Sequence, residues 1–329
     1  MARAYPIISP LRELRHALSE LRLNALSVGD DGRNRTPLWA FGSKTSRNQP
    51  SNSKFIFGPS VWLRGLIKPP PGHAVAYIDW SSQEVAIAAA LSGDEAMMAD
   101  FQTGDPYIAF GIRAGVLPPG ATKETHREVR DMLKTCVLGM QYGMGEQTLA
   151  ARIGKPTIVA RELVWAHRDR YRKFWRMAEG AVDCAMLGMP IGTVFGWHVR
   201  AGTGQIKPRK VGERPRSVGR SMLNFPMQSN GAEMMRLAAC LATERGIEVC
   251  APVHDAFLIC APLDRIEADV AGMRGAMDEA ARAVLDGFSI PTEAKIVRYP
   301  DRYMDKRGAV MWQRVMRLLA QFENVERVA

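Results

Sequence analysis

Cysteine is scarce and unpaired in this chain: Cys136, Cys184, Cys240, Cys250 and Cys260 are scattered without a C-x-x-C couple. That argues against both a zinc knuckle and a disulfide-stapled fold and points to reduced thiols. No apolar run approaches the ~18 residues of a membrane span. The N-terminus, MARAYPIISP, lacks the hydrophobic stretch of a secretory signal. Internal repeats and low-complexity tails are missing as well. What remains is a globular composition, 329 residues with 47% hydrophobic and 24% charged, long enough for two or three subdomains. A cytoplasmic chain without membrane attachment is the expectation.

Acidic residues are in deficit, 34 Asp and Glu against 44 Lys and Arg, for a formal net charge of +10. An anionic partner follows, with nucleic acid the commonest one in the cytoplasm. The excess is uneven. Lys207, Arg209, Lys210, Arg214, Arg216 and Arg220 crowd a Gly- and Pro-containing segment, and Arg168, Arg170, Arg172, Lys173 and Arg176 crowd a predicted helix. Such clusters suit sequence-blind, salt-sensitive phosphate contacts, although a solubilising surface explains many of the same charges.

Pattern reading predicts an amphipathic helix over residues 10–25, a buried strand from His73 to Asp79, and an apolar helix capped by Ser81 or Ser82. The chain is then mostly helical to about residue 190, with a hairpin near Thr193 to Arg200. A helix over Gln228 to Arg245 precedes a hairpin whose arms end and begin at Cys250 and Phe257, with His254 and Asp255 near its tip. A helix over 264–285, a strand from Thr292 to Tyr299 and a last amphipathic helix from Val310 to Phe322 complete the chain. The last helix is expected to pack on the body of the protein, with docking to a partner as the alternative.

The run RDMLKTCVLGMQYG, residues 130 to 143, carries Arg130, Lys134, Leu138 and Tyr142 at four-residue spacing, so they share one slowly drifting helix face. A guanidinium and an ammonium one turn apart can grip successive phosphates, and a ring beyond them can stack on a base. A solvated cationic face is the plain alternative. Thr125 to Glu128 fits a capping box for this helix, and Gly143 and Gly145 fit its end. Asp79 and Asp255 each sit where a strand ends or turns, so they can meet at one sheet edge. Two convergent carboxylates suit magnesium, and a pair of such ions suits phosphoryl transfer. A strand-terminal Asp is otherwise a common turn former.

Together these segments resemble the polymerase domain of family A DNA polymerases, the bacterial polymerase I and phage replicative type. Ile78-Asp79-Trp80-Ser81-Ser82-Gln83-Glu84 is similar to the first motif, Arg130 to Gly143 to the fingers helix, and Val253-His254-Asp255 to the third motif. Arg220, Asn224 and Gln228 match a further motif that contacts primer-template, and Thr45-Ser46-Arg47 more faintly matches a segment near the primer. The resemblance runs from about residue 10 to residue 300. It implies an α+β fold, a right-hand polymerase palm of antiparallel sheet and helices with a helical fingers insertion. The implied boundaries are 1–35 for an N-terminal helix and linker, 36–93 and 217–303 for the palm, 94–216 for the fingers, and 304–329 for a C-terminal helix.

The implied activity is template-directed DNA synthesis, dNTPs being added to a primer 3′-hydroxyl. Asp79 and Asp255 would hold two Mg2+ ions. Arg130 and Lys134 would clamp the triphosphate, Lys134 also protonating the departing pyrophosphate. Glu84 would crowd a 2′-hydroxyl beside Leu138, Tyr142 would stack at the template position, and Arg47, Arg220, Asn224, Gln228 and His254 would touch DNA.

Leu138 departs from the family's usual Phe or Tyr, so weakened sugar discrimination is expected. Ala256 replaces a common Glu, and Tyr107 stands where bacterial members often carry a phosphate-contacting His. About 40 residues precede Thr45, which implies no thumb, no proofreading domain, and distributive synthesis unless a processivity or thumb-supplying protein assists. A catalytically decayed nucleic-acid-binding protein and a metal-dependent nuclease are the competing readings.

Overall fold

The computed structural model describes residues 6–8, 11, 14–15, 26–51, 54–58, 60–200 and 222–326. Most of the helix expected over 10–25, and the basic run that includes Arg220, lie outside them. So does the expected boundary between residues 216 and 217.

After a 3-10 turn at Pro6–Ile8 come two-residue strands β1 (Leu38–Trp39) and β2 (Gln49–Pro50), paired antiparallel, and a second 3-10 turn at Val61–Leu66. Strand β3 (His73–Trp80) leads into seven helices: α1 (Gln83–Ser92), α2 (Glu95–Gln102), α3 (Pro106–Arg113), α4 (Arg127–Gln141), α5 (Glu146–Ile153), α6 (Thr157–Arg170) and α7 (Arg172–Met186). A hairpin of β4 (Pro190–Gly192) and β5 (His198–Arg200) follows. After it come α8 (Phe225–Glu244), β6 (Glu248–Val253), β7 (Ala256–Pro262), α9 (Ile266–Val284), β8 (Thr292–Arg298) and α10 (Ala309–Glu326). The fold class is α+β, as the sequence predicts.

The principal sheet has four antiparallel strands in the order β6-β7-β3-β8. Strand β3 is central, and its alternation sorts side chains to two faces. Ala74, Ala76, Ile78 and Trp80 join the main core with α1, α8 and α9, whereas Val75 and Tyr77 join a second cluster with Phe55, Phe57 and Tyr303. Asp79 continues the second face at the strand's end. Its Cα partners are Ala256 on β7 and Glu293 on β8, so residue 255 is brought beside it by register alone.

The helices between α2 and α7 are joined by buried polar contacts. Asp94 caps α2 through Met97 N (3.1 Å) and also accepts from Lys173 N (3.0 Å) and Phe174 N (3.2 Å), fixing the start of α7. Asp100 accepts a forked pair from Arg170 (2.6 and 2.7 Å) and the Tyr171 hydroxyl (2.7 Å). The basic cluster expected to contact phosphate is in fact largely neutralised: Arg168 pairs with Glu179, Arg172 with Asp169 and Lys173 with Glu95. The matching carboxylates come from other turns and helices, which linear charge counting does not reveal.

His167 lies in this region with no exposed surface, ringed by Phe110, Tyr171, Phe174 and Trp175. Its Nδ1 accepts from Trp175 Nε1 at 3.0 Å, and burial pushes its pKa down to about 3. The folded value is depressed relative to an unfolded histidine near 6.5. Stability that depends on neutral His167 is therefore complete above pH ~6.5 and is lost as the pH falls toward 3. At pH 4.5 the expected cost is about 2–3 kcal/mol, or roughly 3–4 °C in Tm for a chain of this length. His167→Gln keeps an acceptor for Trp175 and removes the titration, so its Tm should fall less between pH 7 and 4.5. Parallel melting curves for the two proteins would assign the acid sensitivity elsewhere.

Helix α10 docks by its first turns, Trp312 lying against Gly65 and Trp62. Beyond that, Met316, Leu318, Leu319 and Phe322 are all exposed. Packing on the body thus holds for one end of this helix only.

Candidate active site

Strand β3 ends where Ser81 N donates to Pro291 O (2.9 Å), and Ser82, at φ +52°, turns the chain into α1. Asp79 therefore closes the strand while Glu84 stands in the first helical turn, where the helix dipole favours a carboxylate. Across the ladder, Val253 pairs with Ala256 and leaves His254 and Asp255 as a two-residue turn. His254 adopts φ +56°, a conformation costly for a residue with a Cβ. Trp80 N donates to Asp255 O at 3.2 Å and ties the turn to the end of β3.

Helix α4 buries Leu133, Cys136, Val137 and Met140 and leaves Arg130, Lys134 and Leu138 along the cleft. Gly111 permits α3 to approach it, since a Cβ there would come within 2.8 Å of Leu117 and closer still to Leu133. The expected capping box is not formed. His126 is the N-cap without a side-chain bond, and Thr125 Oγ1 instead bonds Thr122 and His126 within the preceding turn. The helix end is as expected, with Tyr142 N bonded to Leu138 O (3.0 Å) and Gly143 at φ +69°.

The two structures face one another across a cleft of about 740 Å3 lined by Asp79, Glu84, Arg130, Lys134, Leu138 and Asp255, together with Ser82, Asp105, Tyr107 and Glu293. Burial, then the negative charges of Asp255 and Glu293, push the Asp79 carboxyl up to about 7, while Lys134 opposes the shift. Burial also raises Asp255, against the pull of His254, Arg47 and Lys134. Asp79 Oδ1 is buried without a hydrogen-bond partner among the described residues. Such a concentration of buried negative charge calls for a cation.

Arg130 is already oriented. Its Nε donates to Asp105 Oδ2 at 2.7 Å, while Asp105 Oδ1 caps α3 through Tyr107 N (3.1 Å) and Ile108 N (3.2 Å). The buried Tyr107 ring carries both cations, Arg130 at 5.1 Å and Lys134 at 5.7 Å from its centroid. Further along, the Tyr142 hydroxyl donates to Glu84 Oε1 at 2.6 Å, and Arg47 reaches the same oxygen at 3.5 Å. Burial and this bond push Tyr142 up to about 12; a Gln228 side-chain bond acts the other way.

Two of the remaining sequence candidates fall elsewhere. His254 lines a smaller cavity of about 200 Å3 with Arg47, Asn48 and Val253. Asn224 is only 2% exposed at the start of α8, its amide atoms unpartnered among the described residues, and it lines neither cavity. Sequence reasoning missed Asp105 and Glu293. The Asp-Pro step before Tyr107 is an N-cap signal that would have flagged the first; the second becomes visible only through its register with Asp79.

A family model described as DNA polymerase family A matches residues 58–298. The DNA polymerase I of Chloroflexus aurantiacus is 25% identical, over 89% of this chain and 32% of that protein. A DNA polymerase of Mycobacterium phage D29 is 26% identical over 59% of this chain and 30% of its own length. This chain thus spans about a third of the length of these relatives. Among solved structures, the POL domain of Pol1 from M. smegmatis, in complex with DNA primer-template and dNTP, superposes with a TM-score of 0.71 at 22% identity, covering 87% of this chain and 51% of that one.

Proposed function

The chain belongs to DNA polymerase family A, and from that premise we propose that it extends a primer 3′-hydroxyl along a DNA template with deoxynucleoside triphosphates. The observation that carries this reading is the cleft that sets the paired carboxylates Asp79 and Asp255 opposite the cations Arg130 and Lys134. In the proposed organisation, 36–93 and 217–303 form the palm, 94–216 the fingers, and 1–35 and 304–329 flank them.

Asp79 and Asp255 fit Mg2+. They offer hard oxygen ligands, one of them unpartnered among the described residues, in a site where burial makes uncompensated negative charge costly and a cation would offset it. Among the described residues no group of three or more His, Cys, Asp or Glu side chains converges on a metal position. Two carboxylates suffice when substrate phosphates and waters complete the shell. Bound there, a pair of ions would supply positive charge to the attacking and leaving oxygens.

The protein's own part is positioning and electrostatics. The primer 3′-hydroxyl gives up its proton to water as its oxygen attacks the α-phosphorus, a P–O bond forms, and the α–β bridging bond breaks to release pyrophosphate. Arg130 holds the phosphates as a fork pre-aimed by Asp105, and Lys134 stabilises the departing charge and donates a proton to it. Glu84 and Leu138 form the wall beside the sugar. Tyr142, Arg47, Gln228 and His254 face the template and primer, and Arg220 and Asn224 are proposed to support the duplex.

A labelled primer-template with Mg2+ and dNTPs tests the reading. Extension by the wild type that is lost in Asp255→Ala supports it. DNA binding without extension would instead support a decayed polymerase, and primer shortening a nuclease.

Leu138 makes the sugar wall adjustable. An aliphatic side chain leaves more room beside Glu84 than an aromatic ring, and one missing contact in such a pocket is worth ~1–3 kcal/mol of discrimination. Leu138→Phe should therefore raise the preference for dNTP over rNTP by roughly 10-fold or more. Equal rNTP incorporation by the two proteins in single-nucleotide extension would overturn this assignment.

A further inference from the structure

Cys250 and Cys260 face each other across the hairpin that bears Asp255, and neither takes part in the proposed reaction. Strand β6 changes register between Val249 and Ala251: Val249 pairs with Ile259, but Ala251 pairs with Leu258, which leaves Cys250 as the extra residue of a β-bulge. The bulge also changes facing. Val249 packs on the main core, whereas Ala251 and Val253 pack with Cys260 on the opposite face. Cys250 absorbs that change on the side of Cys260, whose own Cα partner, Glu248, lies only two positions away. Cys260 is 5% exposed and Cys250 is open to solvent; both are free thiols.

We propose that Cys250 and Cys260 form a peroxide-reactive dithiol, a modification site that closes reversibly to a disulfide across the base of the His254–Asp255 turn. Cys250 Sγ bonds weakly to the carbonyl oxygen of Glu248 (3.9 Å), the residue paired with Cys260, and the neighbouring thiol lowers Cys260 to about 7 while raising Cys250, so the thiolate of the pair rests on Cys260. The proton rests on the solvent-facing Cys250, which is the sulfur a peroxide reaches, and the buried Cys260 thiolate is the base beside it. As the Cys260 thiolate takes its proton, the Cys250 sulfur attacks one peroxide oxygen, the O–O bond breaks, and the departing hydroxide takes up a proton and leaves as water. The resulting Cys250 sulfenic acid is attacked by the Cys260 sulfur; an S–S bond forms and the sulfenic oxygen departs as a second water. Two thiols and one hydrogen peroxide thus yield one disulfide and two waters. A dithiol reductant reverses the closure by exchange.

The test treats the full chain with hydrogen peroxide, counts thiols after denaturation, and maps non-reduced peptides by mass spectrometry. The five thiols of the wild type should fall to three, with a 250–260 crosslink that dithiothreitol removes. Cys250→Ser, which changes an exposed position, should retain all of its remaining thiols. Cys260→Ala should leave Cys250 as a sulfenic acid captured by dimedone. Five surviving thiols in the oxidised wild type would overturn the proposal, as would crosslinks that join Cys240 or another chain while 250–260 stays open.

Discussion

Asp79→Asn is expected to reduce primer extension by roughly 10²–10³-fold or more while leaving the chain folded, with a Tm at pH 8 equal to or above that of the wild type. Both halves follow from one observation. The Asp79 carboxylate is buried with Oδ1 unpartnered among the described residues, and burial together with Asp255 and Glu293 pushes its pKa up to about 7. A folded value raised above the unfolded one, near 3.9, means that the penalty is absent below pH ~4, grows as pH rises, and is complete above about 7. Removing the charge removes that penalty, and it also removes an oxygen suited to a cation: a site can be functional and destabilising at once. Asp255→Asn should behave alike, and the double variant should lose little more activity than either single one because both act on one centre. Single-nucleotide incorporation and thermal melting at pH 8 check this. Activity within tenfold of wild type, or a cooperative transition lost altogether, would contradict it.

The second large effect is expected at Lys134. Its ammonium sits in the cleft over the Tyr107 ring and contributes positive charge toward both Asp79 and Asp255. Lys134→Ala should lower kcat by about 10²-fold, the scale of a lost general acid or charge donor, with a smaller change in the KM for dNTP. Lys134→Arg should recover only part of the loss, because a guanidinium restores charge but does not surrender a proton. Arg130→Ala should divide differently. Arg130 is held by Asp105 and aimed before any nucleotide arrives, so its loss should fall mainly on KM. If Lys134→Ala raised KM alone, Lys134 would be a phosphate anchor and nothing more. Pre-steady-state incorporation separates these outcomes.

What could be read in the sequence was whatever periodicity and punctuation encode. The apolar run to Asp79, the two apolar arms around His254 and Asp255, and the four-residue stripe on α4 all gave elements close to those observed. Other features depend on which chain segment lies opposite, and they were invisible. Glu293 matters because β8 pairs with β3 in one register; a slip of one residue would have sent it to the other face. The cluster around Arg170 read as basic because Asp100, some 70 positions away, supplies the countercharge. Thr125 fitted a capping box by spacing, yet the competing hydroxyl of Thr122 claimed it. Asp79 and Asp255 were legible because they sit where a strand ends or turns. The groups that orient and polarise them were not, because their effect is set by tertiary distance.

The bond from Tyr142 to Glu84, with Arg47 on the same oxygen, places a toll on entry. Whatever ligand requires Tyr142 to turn away must supply the free energy of that rupture, and its apparent affinity is reduced by the fraction of molecules in which the bond is open. A charge-assisted bond of this kind is worth about 1.5–3 kcal/mol, so roughly one molecule in ten to one in a hundred would stand open at rest. A well-matched ligand recovers the deficit through contacts formed afterwards, and a poorly matched one does not. Selectivity can thus be exercised by a tyrosine and a glutamate before any chemistry begins.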